Sequence, residues 1–306
     1  TLFPYTTLFR SVIYSELYYG DIRKSTNGGE TFTVIKPKEA LDGDWITPFI
    51  MHPASHNTLF AGYEAVYKTT DGGGSWQKIS PDVTTLFSDY SLRITALCIS
   101  PSMPSVMYAA TPHHIFRTEN QMTWKEIGKE LPSQEITYLA VAPNNPDELY
   151  VTFSGFSEKN KVYRTTDGGQ TWTNFSEGLP NLPVNCIVCE KGEAKQLFVG
   201  TDLGVYYRDE NSDKWIAFNN GLPNVIVNEL EIIYGDDMNR LFAATFGRGL
   251  WQTPLPPKAD FTAEETEICV CREIVFTDNS YYYVESHIWN FGDGAVPQTA
   301  EGQGPH

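Results

Sequence analysis

Short apolar or alternating runs, separated by turn residues, recur along most of the chain. Between residues 93 and 127, Ile94-Thr-Ala-Leu-Cys-Ile99, Val106-Met-Tyr-Ala-Ala110, Ile115-Phe-Arg117 and Trp124-Lys-Glu-Ile127 are rich in strand-forming residues. Ser-Pro-Ser-Met-Pro at 100–104 and Thr-Pro-His-His at 111–114 punctuate them with turn chemistry. Four strands is the simplest count for this unit. No stretch long enough for a helix carries a 3.6-residue period, so the pattern predicts an all-β chain.

The same unit repeats. Thr69-Thr-Asp-Gly-Gly-Gly-Ser-Trp76 returns 96 positions later as Thr165-Thr-Asp-Gly-Gly-Gln-Thr-Trp172. Ser25-Thr-Asn-Gly-Gly-Glu-Thr-Phe32, Thr118-Glu-Asn-Gln-Met-Thr-Trp124 and Arg208-Asp-Glu-Asn-Ser-Asp-Lys-Trp215 are weaker copies. The closing aromatics Phe32, Trp76, Trp124, Trp172 and Trp215 stand 44, 48, 48 and 43 residues apart. A second series, Leu17-Tyr-Tyr-Gly, Leu59-Phe-Ala-Gly, Met107-Tyr-Ala-Ala, Leu149-Tyr-Val-Thr, Leu197-Phe-Val-Gly and Leu241-Phe-Ala-Ala, keeps the same rhythm, as do Leu-Pro pairs ending at Pro132, Pro180 and Pro223. Units of about 40 to 45 residues with four strands each predict a β-propeller. Six complete or partial blades are visible, and a ring of seven or more is expected. Each box fits the turn between the third and fourth strands: Ser25 or Thr69 or Thr165 opens it, Asn27, Asp71 or Asp167 folds back onto turn N–H groups, and Gly29, Gly73 and Gly169 supply positive φ. The closing aromatic is expected to fill the wedge between blades, worth roughly 2 to 3 kcal/mol on full burial.

The pattern Ser/Thr-x-Asp-x-Gly-x-Thr-Trp resembles the Asp-box, or BNR repeat, of sialidases, xyloglucan-cleaving glycoside hydrolases, sortilin-type receptors and secreted bacterial propellers. The resemblance spans residues 12–253 and implies a propeller with its boxes on the periphery, away from the ligand face. Boxes three and five depart from the pattern, with Glu119 or Glu210 near the Asp position and Ser212 in place of a glycine, so less rigid turns are expected there.

The ends read differently. Residues 1–11 resemble the frame translation of a sequencing adapter, fit no repeat phase and are set aside from fold reasoning. The first unit then begins near its second strand, and the last, residues 227–255, lacks a box and a fourth strand. Residues 254–258, Pro-Leu-Pro-Pro-Lys, form a stiff linker. From 259 to 306, Ala259-Asp-Phe-Thr-Ala263, Ile274-Val-Phe-Thr-Asp278 and His287-Ile-Trp-Asn-Phe-Gly-Asp-Gly294 resemble the opening strands of a PKD domain, an immunoglobulin-like β-sandwich. Such sandwiches need about 100 residues, so a truncated domain is expected. PKD modules space the domains of exported bacterial proteins, which implies an extracellular or cell-surface location.

The chain carries 38 acidic and 22 basic side chains, net −16. That balance argues against nucleic acid or an anionic membrane as partner. No run approaches the 18 or so apolar residues of a membrane span. Cys98, Cys186 and Cys189 read as small packed apolar residues rather than as a zinc site, because no second Cys or His pair at finger spacing accompanies them, and Cys269 and Cys271 complete the count.

No catalytic residue, metal ligand or cofactor site emerges. Outside residues 1–11 the arginines are Arg23, Arg93, Arg117, Arg164, Arg208, Arg240, Arg248 and Arg272. Arg117 and Arg164 share a position before the box with Lys24 and Lys68, which leaves too few for a sialidase triad. A xyloglucanase-like site needs facing carboxylates across two propellers. His113 and His114, adjacent at a strand start, point apart. The variable loops between second and third strands lie opposite the boxes, and Tyr63, His113, Phe153, Phe156, Asp202, Phe246 and Arg248 are the candidate ligand residues there, with the aromatics expected exposed. The competing expectation is that these aromatics only cap the blade tops. A non-catalytic module binding glycan or protein is the leading expectation. The alternatives are a glycoside hydrolase with catalytic residues partly outside the chain, and an assembly or sorting receptor.

Overall fold

A computed structural model describes residues 11–192, 195–209, 212–235, 239–256, 261–263, 274–278, 280, 286–302 and 304. The chain divides into two compact units, residues 1–230 with 245–248, and residues 231–244 with 249–306.

The propeller has six blades. Blade one holds β1 (Ile13–Leu17), β2 (Asp21–Ser25) and β3 (Thr33–Val34). Four-stranded blades follow in order: β4 (Phe49–His52), β5 (Ser55–Gly62), β6 (Val66–Thr69) and β7 (Gln77–Lys78); β8 (Ala96–Ile99), β9 (Met107–Ala110), β10 (Ile115–Thr118) and β11 (Trp124–Ile127); β12 (Ile136–Val141), β13 (Leu149–Phe153), β14 (Val162–Thr165) and β15 (Thr173–Asn174); β16 (Val184–Cys189), β17 (Leu197–Thr201), β18 (Gly204–Arg208) and β19 (Ile216–Ala217). The sixth sheet runs β20 (Val227–Ile233), β21 (Arg240–Thr245) and β22 (Gly249–Pro254). All pairings given for blades one to five are antiparallel between sequence neighbours. The Leu-aromatic series lies on the second strand of blades two to six, whereas in blade one Ile13 rather than Leu17 faces the box-opening Ser25, as Leu59 faces Thr69, so Leu17-Tyr-Tyr-Gly stands four residues out of register and runs into the turn after β1. β9, β13 and β17 are buried throughout because blades cover both faces. That explains their unbroken apolar runs, where a sheet wetted on one face would alternate. One short helix escapes the sequence reading: α1 (Val83–Phe87), whose five residues are too few for a visible period. The Asp82 side chain caps it by accepting the Thr84 and Thr85 N–H groups.

The apolar cores lie between blades. One joins Tyr108 and Ile115 of blade three to Leu139, Leu149 and Phe153 of blade four, and another joins Phe60 and Val66 of blade two to Ile94 and Met107 of blade three. The boxes tie these blades together. Thr69 Oγ1 donates to Asp71 Oδ1 at 2.7 Å and accepts the Gly73 N–H at 3.0 Å, while Asp71 accepts the Ser75 N–H at 2.9 Å and the Ser75 hydroxyl at 2.7 Å. Thr165, Asp167, Gly169 and Thr171 repeat this pattern, and Ser25, Asn27, Gly29 and Thr31 reproduce its backbone part. In the two divergent boxes the acceptor is Asn120 or Asp209 rather than Glu119 beside the first of them, and Glu210 lies outside the described residues.

Three of the boxes also grip the preceding blade through their closing tryptophan. The indole N–H groups of Trp76, Trp124 and Trp215 donate to the carbonyls of Ile35, Ile79 and Phe175 at 2.6, 2.7 and 2.6 Å. Lys24 Nζ reaches the Gly72 carbonyl of the next box at 3.1 Å, Lys68 reaches Gln121 Oε1 at 2.7 Å, and Arg117 pairs with Asp147 beside Gly168. The basic residues before the boxes are therefore structural. Trp215 is fully buried, but Phe32, Trp76, Trp124 and Trp172 are half-buried, so full wedge burial holds only in blade five. Trp172 Nε1 is buried without a hydrogen-bond partner. Replacing Trp215 by Phe is thus expected to cost about 1 kcal/mol by removing the short bond to the Phe175 carbonyl, which would keep the 3.5 Å contact from Arg208, whereas the same change at Trp172 is nearly neutral; urea midpoints of the two variants check the contrast.

The box carboxylates also set acid sensitivity. Asp71 lies well below its ordinary 3.8, first because of the Ser75 N–H, and Asp167 likewise, first because of the Thr171 hydroxyl. A depressed folded-state pKa contributes stability that is complete above the unfolded value and lost as pH falls through the folded one. The Asp71→Asn, Asp167→Asn double variant is expected to lose less stability than the parent between about pH 5 and pH 2, because Asn27 shows that an amide sustains the turn; urea unfolding across that window measures it.

Cys98, Cys186 and Cys189 are free thiols, Cys186 buried and the others half-buried, and burial pushes Cys98 up to about 12. Cys269, Cys271 and Arg272 lie outside the described residues. Residues 1–10 also lie outside them, while the Ser11 carbonyl accepts the Gly28 N–H at 3.0 Å.

In the second unit, β23 (Phe261–Ala263) pairs with β24 (Phe276–Asp278) and β25 (Ile288–Asn290) with β26 (Thr299–Glu301), all antiparallel. Phe261, Phe276, Trp289 and Phe291 form one aromatic cluster with neighbouring ring centroids 5.1–6.5 Å apart. Asn290 Oδ1 accepts the Gly292 N–H at 2.9 Å, the turn-closing role that an aspartate would fill.

Candidate functional site

The loops between second and third strands, and the connections from one blade to the next, share the end of the sheets opposite the boxes. There the structure corrects two candidates. Tyr63 is fully buried, its hydroxyl donating to the Gly20 carbonyl at 2.7 Å and its ring edge-on to Tyr67. Phe153 is also fully buried, edge-on to Tyr163. Both close the seam between blades and offer no ring to a ligand. The expected exposure fails because both rings sit at strand ends, where a large apolar side chain gains more from the neighbouring blade than from solvent.

The other candidates remain at the surface but scattered by role. Phe156 and Phe246 are exposed, the latter's N–H donating to the Ile226 carbonyl at 2.9 Å. Asp202 is half-buried and accepts from Asn185 Nδ2 at 3.1 Å. His113 and Arg248 are exposed. His114 turns away from His113 to pair with Glu126 at 2.8 Å and stack on Phe87. Among the described residues no three His, Cys, Asp or Glu side chains gather as a metal site.

What the fold does gather is an aromatic platform that the repeat pattern concealed. Tyr18 and Tyr19 occupy the turn between β1 and β2, and Trp45 lies in the connection to blade two. Tyr18 stacks on Trp45 with centroids 4.5 Å apart and planes at 29°, and Tyr19 meets Trp45 edge-on at 5.4 Å. Tyr18 is 62% exposed, Tyr19 50% and Trp45 54%, with Ile46 beside them at 71%. Tyr19 holds φ +61°, a left-handed conformation that a bulky side chain adopts only at a cost of roughly 1–2 kcal/mol. Surrounding bonds enforce it: the Tyr19 N–H donates to the Trp45 carbonyl at 3.4 Å and the Gly43 N–H to the Tyr19 carbonyl at 3.0 Å. Gly20 follows at φ +78°, where an added Cβ would stand 2.3 Å from the Tyr63 ring, so Tyr63 functions as the buried support of this turn.

The sequence carried two hints of this platform. Leu17-Tyr-Tyr-Gly has a second ring, Tyr19, where its sister segments have Ala or Val, and Trp45 falls outside the rhythm of the boxes. The platform has flat exposed faces and hydroxyl rims, and among the described residues no cation stacks on its rings, a surface suited to covering the apolar face of a sugar ring.

No protein-family model matches the chain. A protein of Neosartorya fischeri described as a probable oligoxyloglucan-reducing end-specific xyloglucanase is 25% identical over 210 residues, covering 53% of this chain and 26% of its own length. The chain thus spans about a quarter of that relative. Among solved structures, an ancestral GH74 enzyme superposes with a TM-score of 0.60 at 16% identity over 79% of this chain and 34% of its own. The Niastella koreensis GH74 enzyme gives 0.54 at 18% over 78% and 41%, and YCF48 bound to D1 peptide gives 0.51 at 14% over 72% and 68%. The chain is a six-bladed propeller similar in fold to GH74 xyloglucanases and to YCF48.

Proposed function

We propose that this chain is an exported, cell-surface propeller that binds a neutral polysaccharide without cleaving it, and that residues 259–306 belong to a PKD-type spacer. The observation that carries the reading is the exposed Tyr18–Trp45–Tyr19 stack. Covering on the order of 100 Å² of apolar ring surface contributes about 2.5 kcal/mol per contact, enough for a module that gains further from repeated contacts along a polymer. The net charge of −16 disfavours uronate- or sulfate-bearing glycans and favours neutral ones. The Trp289–Phe291 turn and its aromatic cluster support the spacer assignment, and the spacer supports export. Retention on affinity gels containing neutral polysaccharides, run beside acidic ones and beside pull-downs, tests the reading. Passage through every gel without retardation, with one dominant protein partner captured instead, overturns it.

The 25% identity to a xyloglucanase favours a second reading, a glycoside hydrolase completed by residues outside this chain. New reducing ends released from xyloglucan by the longer protein, but not by this chain, would establish it.

A further inference from the structure

We infer that Glu16 is the positioning residue of the aromatic platform, the side chain that, among the described residues, hydrogen-bonds to both ring-bearing segments and fixes them in register. The inference rests on the proposed glycan-binding reading of the same site. Exposed rings on loops bind weakly when the loops must be ordered on binding, so a binding platform needs its backbone set beforehand. Here two separate segments must be aligned: the turn 18–20 and the connection 41–47.

Glu16 lies on β1, half-buried beneath them. Its Oε1 accepts the Gly20 N–H at 3.2 Å and the Thr47 N–H at 2.9 Å, so a single oxygen closes the end of the tyrosine turn and the end of the Trp45 loop together. The backbone bonds from Tyr19 N–H to the Trp45 carbonyl and from Gly43 N–H to the Tyr19 carbonyl join the middles of the two segments, and the Glu16 carboxylate joins their ends. The side-chain bonds of Glu64 and Arg93 hold one segment each. Glu64 Oε2 accepts the Leu41 N–H at 3.0 Å, and Arg93 Nε donates to the Asp42 carbonyl at 2.5 Å. Those bonds anchor the start of the loop, and Glu16 anchors its far end, so Trp45 is suspended between fixed points. Burial pushes the Glu16 carboxyl up from its ordinary value despite these N–H bonds, and a protonated carboxyl keeps a carbonyl oxygen that accepts the same two donors. A glutamine therefore reproduces the function, and a side chain of equal length without an acceptor does not.

The test compares Glu16→Gln, Glu16→Met and the parent by amide hydrogen exchange over residues 17–21 and 44–48, and by the near-ultraviolet circular dichroism of the Tyr18–Trp45 stack, defined as the band lost in Trp45→Ala. In Glu16→Met, exchange in both segments is expected to rise on the order of tenfold and the stack band to vanish; Glu16→Gln restores both, and with them retention on a neutral β-glucan gel. Unchanged exchange and an intact band in the Met variant overturn the assignment. So does a Met variant that fails to fold while the Gln variant folds, since that marks a scaffold role. Absence of glycan retention in the parent removes the functional reading, while the exchange and dichroism results still decide the role of Glu16.

Discussion

Gly169→Ala is expected to destabilise the propeller by about 2–5 kcal/mol, the sum of a left-handed backbone penalty and overpacking of a tight core. Gly169 holds φ +88°, and an added Cβ would stand 2.5 Å from Ile127 Cδ1 and 3.0 Å from Ile127 Cβ, side-chain atoms of the preceding blade. Ile127 is itself buried in the core between blades three and four and cannot retreat freely. Gly28, at φ +72° in the first box, has nothing within 4 Å of its would-be Cβ. Gly28→Ala should therefore show the backbone penalty alone, about 1–2 kcal/mol. Urea denaturation of both variants separates the two contributions, and equal losses would mean that the box glycine serves conformation only.

Trp45→Ala is expected to weaken polysaccharide binding about ten- to a hundredfold while leaving the melting temperature within a few degrees of the parent. The ring is 54% exposed, so its removal costs little folding free energy. It is also the ring that both tyrosines contact, so its loss dismantles the platform rather than trimming it. Losing a stacked contact of about 1.5–3 kcal/mol corresponds to that range of affinity. Phe156→Ala, at an exposed ring on a different loop, is the matched control.

The contrast between these sites explains what was legible in the sequence. The boxes were legible because one backbone problem, a tight positive-φ turn pressed on a neighbouring blade, recurs and admits few residue types. Their phase against the Leu-aromatic series fixed the strand count and the face opposite the boxes. Tyr63 and Phe153 were misread because loop position does not reveal burial: a ring at a strand end points either to solvent or into the seam, and only the neighbouring blade decides. Tyr18 and Tyr19 were hidden inside a repeat marker, and Trp45 joins them through a contact between segments of separate turns. The half-burial of Trp76, Trp124 and Trp172 was equally out of reach, since it depends on the spacing between adjacent blades.

Calorimetric titration of the parent and Trp45→Ala proteins with a soluble neutral β-glucan, at low and at high salt, tests the central claim most directly. The account predicts saturable binding by the parent that is nearly independent of salt, as expected for stacking rather than charge pairing, and loss of that binding in the Trp45 variant. Binding that survives Trp45→Ala, or no heat of binding by the parent protein, would contradict it.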